Sequence, residues 1–492
     1  MNNDSTIAPR SAAWREELRR SMNAKERGEI NRVIMPELDP AYRITTLDEE
    51  VNRGISEQQA LVEAKRCLDC PDPQCVTGCP VSINIPGFIK NIERGEFGQA
   101  AAVLKETSAL PAVCGRVCPQ EKQCESKCIY NRMKKQPVAI GYLERFAADR
   151  ERESGSRVTP EIASPNGIKV AVVGSGPAGL SFAGDMARRG FAVTVYEALH
   201  QIGGVLKYGI PEFRLPNAVV DAEIGYLREI GVEFVKDCIV GKTLSYDDLH
   251  AMGYRGIFVA SGAGLPRFMG IPGENLNGVM SSNEYLTRIN LMGAGREGWS
   301  TPVYRGRNVA VIGGGNTAMD SVRTARRMGA ERAMIVYRRS EAEMPARVEE
   351  VKHAKEEGVE FLTLCNPVEY KGDGNGRVTS MLVQRMELGE PDASGRRSPV
   401  PVPGAIEEIP VDVVIVSVGV SPNPLIPATI PGIEVSRRGT IVVDDDSLRS
   451  TLPDLYAGGD IVRGGATVIL AMGDGRRAAA SMASQLTDSG RL

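Results

Sequence analysis

Eight of the ten cysteines crowd into the segment 67–128, in two runs: Cys67, Cys70, Cys75 and Cys79, then Cys114, Cys118, Cys124 and Cys128. The spacings are C-x2-C-x4-C-x3-C followed by Pro80, and C-x3-C-x5-C-x3-C with Pro119 after its second member. So dense a set of soft, oxidisable side chains admits three chemistries: disulfides, zinc or iron–sulfur clusters. Disulfides belong to oxidising compartments, and the N-terminus has no apolar h-region of a secretory signal. Structural zinc is normally held by paired CxxC-like units, and only Cys67 and Cys70 form one. Bacterial ferredoxins use a related run, C-x2-C-x2-C-x3-C-P, whose last cysteine reaches across to the other cluster. The three histidines, His200, His250 and His353, have no metal-ligand spacing. Cys238 and Cys365 stand alone on apolar segments and read as inert core residues.

What such clusters would exchange electrons with is written further along the chain. Val170-Ala-Val-Val173 is a buried-strand signal followed by Gly174-Ser-Gly176-Pro-Ala-Gly179 and a helical stretch. The first glycine permits a tight turn, the second lets the backbone approach a pyrophosphate, and the third lets helix and strand lie close. Glu197 ends the next strand, where an acid hydrogen-bonds a ribose hydroxyl. The arrangement returns further on as Val309-Ala-Val-Ile312 and Gly313-Gly-Gly315-Asn316-Thr317-Ala318. Here the following strand ends in Arg338-Arg339, which would pair with a 2′-phosphate that a carboxylate would repel. The second site therefore reads NADPH. The first reads FAD, with Gly204 and Arg214 in the run 203–216 and Gly459 and Asp460 closing the chain as flavoproteins place their ribityl- and pyrophosphate-binding acid. A flavin and NADPH in one chain turn the cysteine runs toward two [4Fe–4S] clusters, for which eight ligands suffice.

These elements must be carried by several domains, and 492 residues suffice for two to four. The predicted fold is an α+β multidomain chain: a helical iron–sulfur domain over 1–160, then two Rossmann-like dinucleotide-binding domains. The FAD-binding domain covers 166–303 and 416–492, and the NADPH-binding domain, 304–415, is inserted into it. Residues 1–60 are polar, with 35–40 an extended arm; Arg150 to Gly167 reads as a linker; 371–376 and 389–404 read as turns of an antiparallel excursion. With 59 basic against 62 acidic residues the chain offers no footprint for nucleic acid or an anionic membrane surface. No apolar run approaches the roughly 18 residues of a membrane span. The expected location is the reducing cytoplasm.

The combination resembles the glutamate synthase small (β) subunit family over roughly residues 40–490. The resemblance rests on Cys67-Leu-Asp-Cys70 to Cys79-Pro-Val, Cys114-Gly-Arg-Val-Cys118-Pro-Gln-Glu, 137–146, Gly209-Ile-Pro-Glu-Phe-Arg-Leu-Pro216 and Gly313-Gly-Gly-Asn-Thr-Ala-Met-Asp320. The same module is similar to the large subunit of NADH-dependent ferredoxin–NADP oxidoreductase and the N-terminal part of dihydropyrimidine dehydrogenase. The resemblance implies that FAD takes a hydride from NADPH and passes electrons singly through two clusters to a protein partner. It also implies crossed ligation: Cys67, Cys70, Cys75 and Cys128 on one cluster, and Cys79, Cys118, Cys124 and Glu144 on the other. Counting alone would make Cys114 the eighth ligand, so Cys114 stays the alternative to Glu144. The partner is expected to be a large subunit that forms glutamate from 2-oxoglutarate and glutamine, or, in a second reading, the small subunit of an electron-bifurcating transhydrogenase. Intact Gly176, Glu197, Gly315 and Asp460 oppose a scaffold without turnover.

Overall fold

The computed structural model describes residues 8–155, 161–393 and 395–488. Residues 156–160 of the expected linker lie outside them.

The cysteines sit among short helices, including Glu57–Lys65, Ile85–Glu93, Phe97–Lys105 and Pro111–Val117, across which the longer helix Ile140–Ser154 is laid. Several starts are legible: Ser56 and Gln59 form a capping box, and Asn84 accepts the Gly87 amide. Gly115 allows the closest crossing. A Cβ there would lie 2.6 Å from the Arg145 nitrogen, so Pro111–Val117 can seat on Ile140–Ser154 only with glycine at that point. The last helix runs on into the expected linker, to Ser154, and stops at Gly155 in the left-handed conformation (φ 65°). Strong helix formers at 150–153 and a buried Lys105–Glu151 ion pair carry it that far. The polar stretch ahead of the expected arm contains the helices Ala13–Ser21 and Ala24–Glu29; the arm itself is non-helical over 35–39, with Glu37 bridging Asn52, but its last residue opens the helix Pro40–Arg43.

Following the chain, β1 (Lys169–Val173), β2 (Ala192–Tyr196), β3 (Glu233–Val235) and β4 (Tyr254–Val259) build one parallel sheet, left through β5 (Leu265–Pro266). A second parallel sheet begins with β6 (Val279–Ser281), β7 (Asn308–Ile312), β8 (Arg332–Tyr337) and β9 (Glu360–Thr363). An antiparallel excursion of β10 (Cys365–Gly372), β11 (Val378–Pro391) and β12 (Arg397–Pro410) follows. β13 (Val413–Val416) then returns to the second sheet, β14 (Val420–Ser421) leaves it, and β15 (Leu455–Ala457) closes the first. The strand orders are β15-β4-β1-β2-β3 and β6-β13-β7-β8-β9. The outgoing β5 and incoming β14 pair with each other, so a two-stranded antiparallel ribbon joins the units.

One boundary moves. Val279–Ser281 pairs in parallel with Val414–Val416, so the second sheet already begins at Val279, well before the expected start at 304. The segment is too short for its period to be read in sequence, and only β13 gives it a neighbour. Both sheets are buried on both faces, the second by helices on one face and by the β10–β12 excursion on the other, which is why β1, β7 and β13 are near-continuous Val, Ile and Ala. Among the described residues no helix is long and apolar enough to cross a membrane.

Candidate active site between two glycine loops and a cysteine cage

A single cleft of about 2470 Å³ runs along the carboxyl ends of both parallel sheets and is lined by both glycine loops. At the first loop Gly174 holds φ +103°, and a Cβ would stand 2.5 Å from the Ala260 carbonyl oxygen. Gly179 is equally fixed, with a Cβ 2.0 Å from the Gly174 oxygen. Gly176 is different: a Cβ there would meet nothing within 4 Å, because the position faces the open cleft. That open space lies at the N-terminus of the helix Pro177–Arg188, where free backbone amides could hold a phosphate.

Glu197 lies where the sequence puts it, at the end of β2, and lines the cleft. Its Oε2 accepts from the Ser175 amide (3.0 Å) and hydroxyl (2.5 Å), and its Oε1 from the Leu199 amide (2.9 Å). Ser175 Oγ in turn accepts from the Gly203 amide at 2.9 Å, so the acid also braces the loop beside Gly204. A carboxylate has about four lone-pair sites, which leaves capacity for a ribose. Gly459 (φ +76°) and Asp460 close the cleft from β15, with Asp460 accepting the Ala466 amide at 2.9 Å. Burial pushes the Asp460 carboxyl up. Beneath them lies an acid that sequence reasoning missed. Fully buried Asp474 accepts from the Gly459 amide (3.0 Å) and from Arg463 (2.6 Å), and so sets the path of the Gly458-Gly459 turn. The signal was available as a lone acid at the end of the apolar run 468–473.

At the second loop Gly313 (φ +144°) passes 2.3 Å, by its would-be Cβ, from the Ser417 oxygen, and Gly315 opens the helix Asn316–Arg327 toward the cleft. Asn316 and Thr317 line the cleft, whereas Ala318 is buried in the helix. Arg338 and Arg339 both reach the cleft but divide their roles. Arg339 is buried and donates to Asp392 (2.6 Å) and the Arg397 carbonyl (2.8 Å), while Arg338 stands exposed. The arginine expected at the first site, Arg214, lines the cleft but its guanidinium is engaged by Asp320 (2.9 Å) and Glu350 (3.3 Å) of the second unit. Asp320 itself, held up to about 6 by burial against the pull of Arg214, lies one helical turn beyond the glycine loop.

All ten cysteines are free thiols. Cys70, Cys75 and Cys67 lie within electrostatic reach of Cys128, of one another, or of both. Cys79, Cys118, Cys124 and Cys114 form a second such group around Glu144. The runs thus exchange one member each in space. Burial pushes the Cys67 and Cys79 thiols up to about 11. Glu144 is fully enclosed, its carboxyl lifted to about 8 by burial, and its Oε1 has no hydrogen-bond partner among the described residues. In the protein alone the group is therefore held as the neutral acid; its ionised form, costly there without a partner, is the form a cationic cluster core would bind. Cys114 is completely buried, hydrogen-bonded to Cys118, with its Sγ 3.4 Å from the Met472 sulfur. The second group abuts the cleft, since Val117 and Pro119, which flank Cys118, both line it.

Two family models cover this arrangement: dihydropyrimidine dehydrogenase domain II, 4Fe-4S cluster, over residues 43–156, and pyridine nucleotide-disulphide oxidoreductase, over 168–475. The chain is 38% identical over 437 residues to the glutamate synthase [NADPH] small chain of Escherichia coli (strain K12), covering 87% of this chain and 92% of that one. It belongs to the glutamate synthase small-chain family. A second relative at 38% identity is the NADP(+)-dependent formate dehydrogenase subunit beta of Moorella thermoacetica, with 83% of this chain and 59% of that one aligned. Among solved structures, FprA from Mycobacterium tuberculosis shares the fold of the nucleotide-binding units (TM-score 0.56, 21% identity, 66% of this chain and 86% of that chain).

Like other glutamate synthase small chains, the protein is an NADPH-dependent oxidoreductase with an iron–sulfur domain ahead of flavin- and nucleotide-binding folds. Hydride transfer needs no general acid–base pair from the small-chain cleft. Its chemistry is placement.

Proposed function

We propose that this chain is the electron-input subunit of a glutamate synthase. It binds FAD at Gly174–Gly179 and NADPH at Gly313–Ala318, and holds two [4Fe–4S] clusters in the crossed cysteine groups. It delivers electrons to a larger subunit that forms glutamate from 2-oxoglutarate and glutamine. When bound, FAD supplies the conversion of a two-electron hydride donor into single electrons.

The observation that carries this reading is the shared cleft wall: residues on both sides of Cys118 line the space that both glycine loops open into. The Cys79/Cys118/Cys124/Glu144 group would then receive electrons first. Cys70, Cys75 and Cys128 are half-buried, against Cys79 alone in the first-receiving group, which supports assigning their group the hand-off to a partner. Glu197 and Asp460 orient the dinucleotide at the first loop, and Arg338 takes the 2′-phosphate at the second.

The test is anaerobic addition of NADPH to the purified protein, followed by mixing with a glutamate synthase large subunit, 2-oxoglutarate and glutamine. Bleaching of the flavin band and glutamate formation are expected. Bleaching without glutamate formation would assign the subunit to another acceptor, such as the partner of the formate dehydrogenase relative. No bleaching would end the reading altogether.

A further inference from the structure

The loop 344–348 of the second unit touches two sites at once. On one side the Ala346 amide donates to the Gly314 oxygen (3.2 Å) and the Arg347 amide to Asn316 Oδ1 (2.9 Å), both within the second glycine loop. On the other side the Arg347 guanidinium crosses to the cysteine domain. Its Nη1 donates to the Arg116 carbonyl (2.8 Å) and its Nη2 to Gln120 Oε1 (2.9 Å). Gln120 passes the contact on, donating to the Cys114 and Gly115 carbonyls at 3.3 Å each. Lys122 fastens the same junction, donating to the Pro345 carbonyl at 2.9 Å. Arg347 is buried and paired with Glu349 (3.1 Å) and Glu121 (3.7 Å), and its charge also lies within electrostatic reach of Cys118. Two chains of hydrogen bonds thus meet in one residue. One leads to the second glycine loop and the other to the backbone that carries Cys118.

We propose that Arg347 is a positioning residue that makes the second glycine loop and the Cys114–Cys124 segment one mechanical unit. Nucleotide binding and the state of the adjoining cluster are therefore linked. This rests on the ligand assignment proposed above, but the mechanical half does not require it. The linkage is reciprocal by necessity: whatever binding does to the cluster, reduction of the cluster does to binding. The cation beside Cys118 also favours the more negative, reduced cluster, so its removal lowers the midpoint potential even without nucleotide.

The probe is adenosine 2′,5′-bisphosphate, which fits an NADPH adenosine site, carries no nicotinamide and cannot transfer a hydride. Two measurements on the intact loaded protein test the idea. In hydrogen exchange, the bisphosphate should slow the amides of residues 114–124 at least threefold in the wild type and not in Arg347→Gln. In redox titration followed by EPR, it should move one cluster midpoint by an amount equivalent to a two- to tenfold change in affinity, with tenfold being about 59 mV for one electron. In Arg347→Gln that shift should vanish and the same midpoint should sit lower in the absence of ligand. Arg347→Lys, which keeps the charge but not the two-pronged donation, should keep the midpoint and lose the linkage. Unchanged exchange in the wild type, or protection that persists in both variants, would overturn the proposal. If exchange responds as expected but no midpoint moves, the mechanical tie stands and it is the ligand assignment that fails. Should Arg347→Gln lose its clusters, Arg347→Lys decides alone.

Discussion

Glu144 is held within electrostatic reach of Cys79, Cys114 and Cys124, and its burial alone accounts for its raised carboxyl. Its ionised form is costly there unless a cationic group is bound to it. Glu144→Ala should therefore lower the iron content from about eight atoms per chain to about four, as measured by iron analysis and EPR, while Cys114→Ser leaves it unchanged. The reverse pattern would make Cys114 the ligand. A second residue-scale expectation concerns the paired arginines. Arg338→Ala should weaken NADPH binding by roughly 10- to 100-fold, the loss of a charge-assisted contact of about 1.5–3 kcal/mol, with little effect on NADH. Titration with both nucleotides checks it; equal losses would remove Arg338 from the 2′-phosphate. Sequence could place an arginine pair here but not divide it, because Asp392, the partner that occupies Arg339, lies far along the chain beyond the end of β11. The crossed cysteine groups were likewise legible only through family resemblance. Spacing assigns neighbours along the chain, and Cys128 joins Cys70 and Cys75 only because the intervening helices fold back.

Among the elements, the strand–loop–helix units were the most readable part, since a buried parallel strand is a short run of β-branched residues that must end in glycine when a phosphate follows it. The three glycines of the first loop are nonetheless not equivalent. Gly179→Ala would drive a Cβ to 2.0 Å from the Gly174 oxygen, so the variant should be severely destabilised or insoluble. Gly176→Ala meets nothing within 4 Å and should fold with unchanged stability of the apoprotein, yet purify with much less FAD, because its methyl would enter the space proposed for the phosphate. Flavin-to-protein absorbance ratios and apoprotein melting temperatures separate the two. Full flavin occupancy in Gly176→Ala would refute that placement. Elements defined by a neighbour rather than by their own pattern escaped the sequence. β6, only Val279–Ser281, becomes a strand by pairing with β13 on the far side of the whole antiparallel excursion. The tail of the helix Ile140–Ser154 was hidden for a different reason: its charged residues look like linker unless the contact of Glu151 with Lys105 is known.

At the scale of the molecule, the two nucleotide-binding units are joined by more than the β5–β14 ribbon. Arg214 of the first unit is buried against Asp320 and Glu350 of the second, and Arg323 pairs with Glu350 and Glu357 while Arg327 pairs with Glu357. Phe213, next to Arg214, lies under both Arg323 and Arg327, 4.7 and 3.9 Å from ring centre to guanidinium carbon. The N-terminal arm adds a strap: the Val51 amide donates to the Phe213 carbonyl, Glu37 pairs with Lys352 and His353, and Arg43 pairs with Glu356. Such a network favours one orientation of the units strongly. Removing a single partner leaves buried charge unpaired, at a cost of about 3–5 kcal/mol. Replacing Arg214 with methionine keeps the length and apolar contacts of the side chain while stripping its charge from two carboxylates. If the network is what makes the units cooperate, wild-type protein should melt in one calorimetric transition. Arg214→Met should then melt in two, the earlier one depressed by roughly 10 °C at about 2–4 °C per kcal/mol. NADP+ should raise only the transition of the unit that contains Gly313–Ala318. One undivided transition in Arg214→Met, shifted by less than about 2 °C, would mean that the ribbon and the arm alone hold the units together.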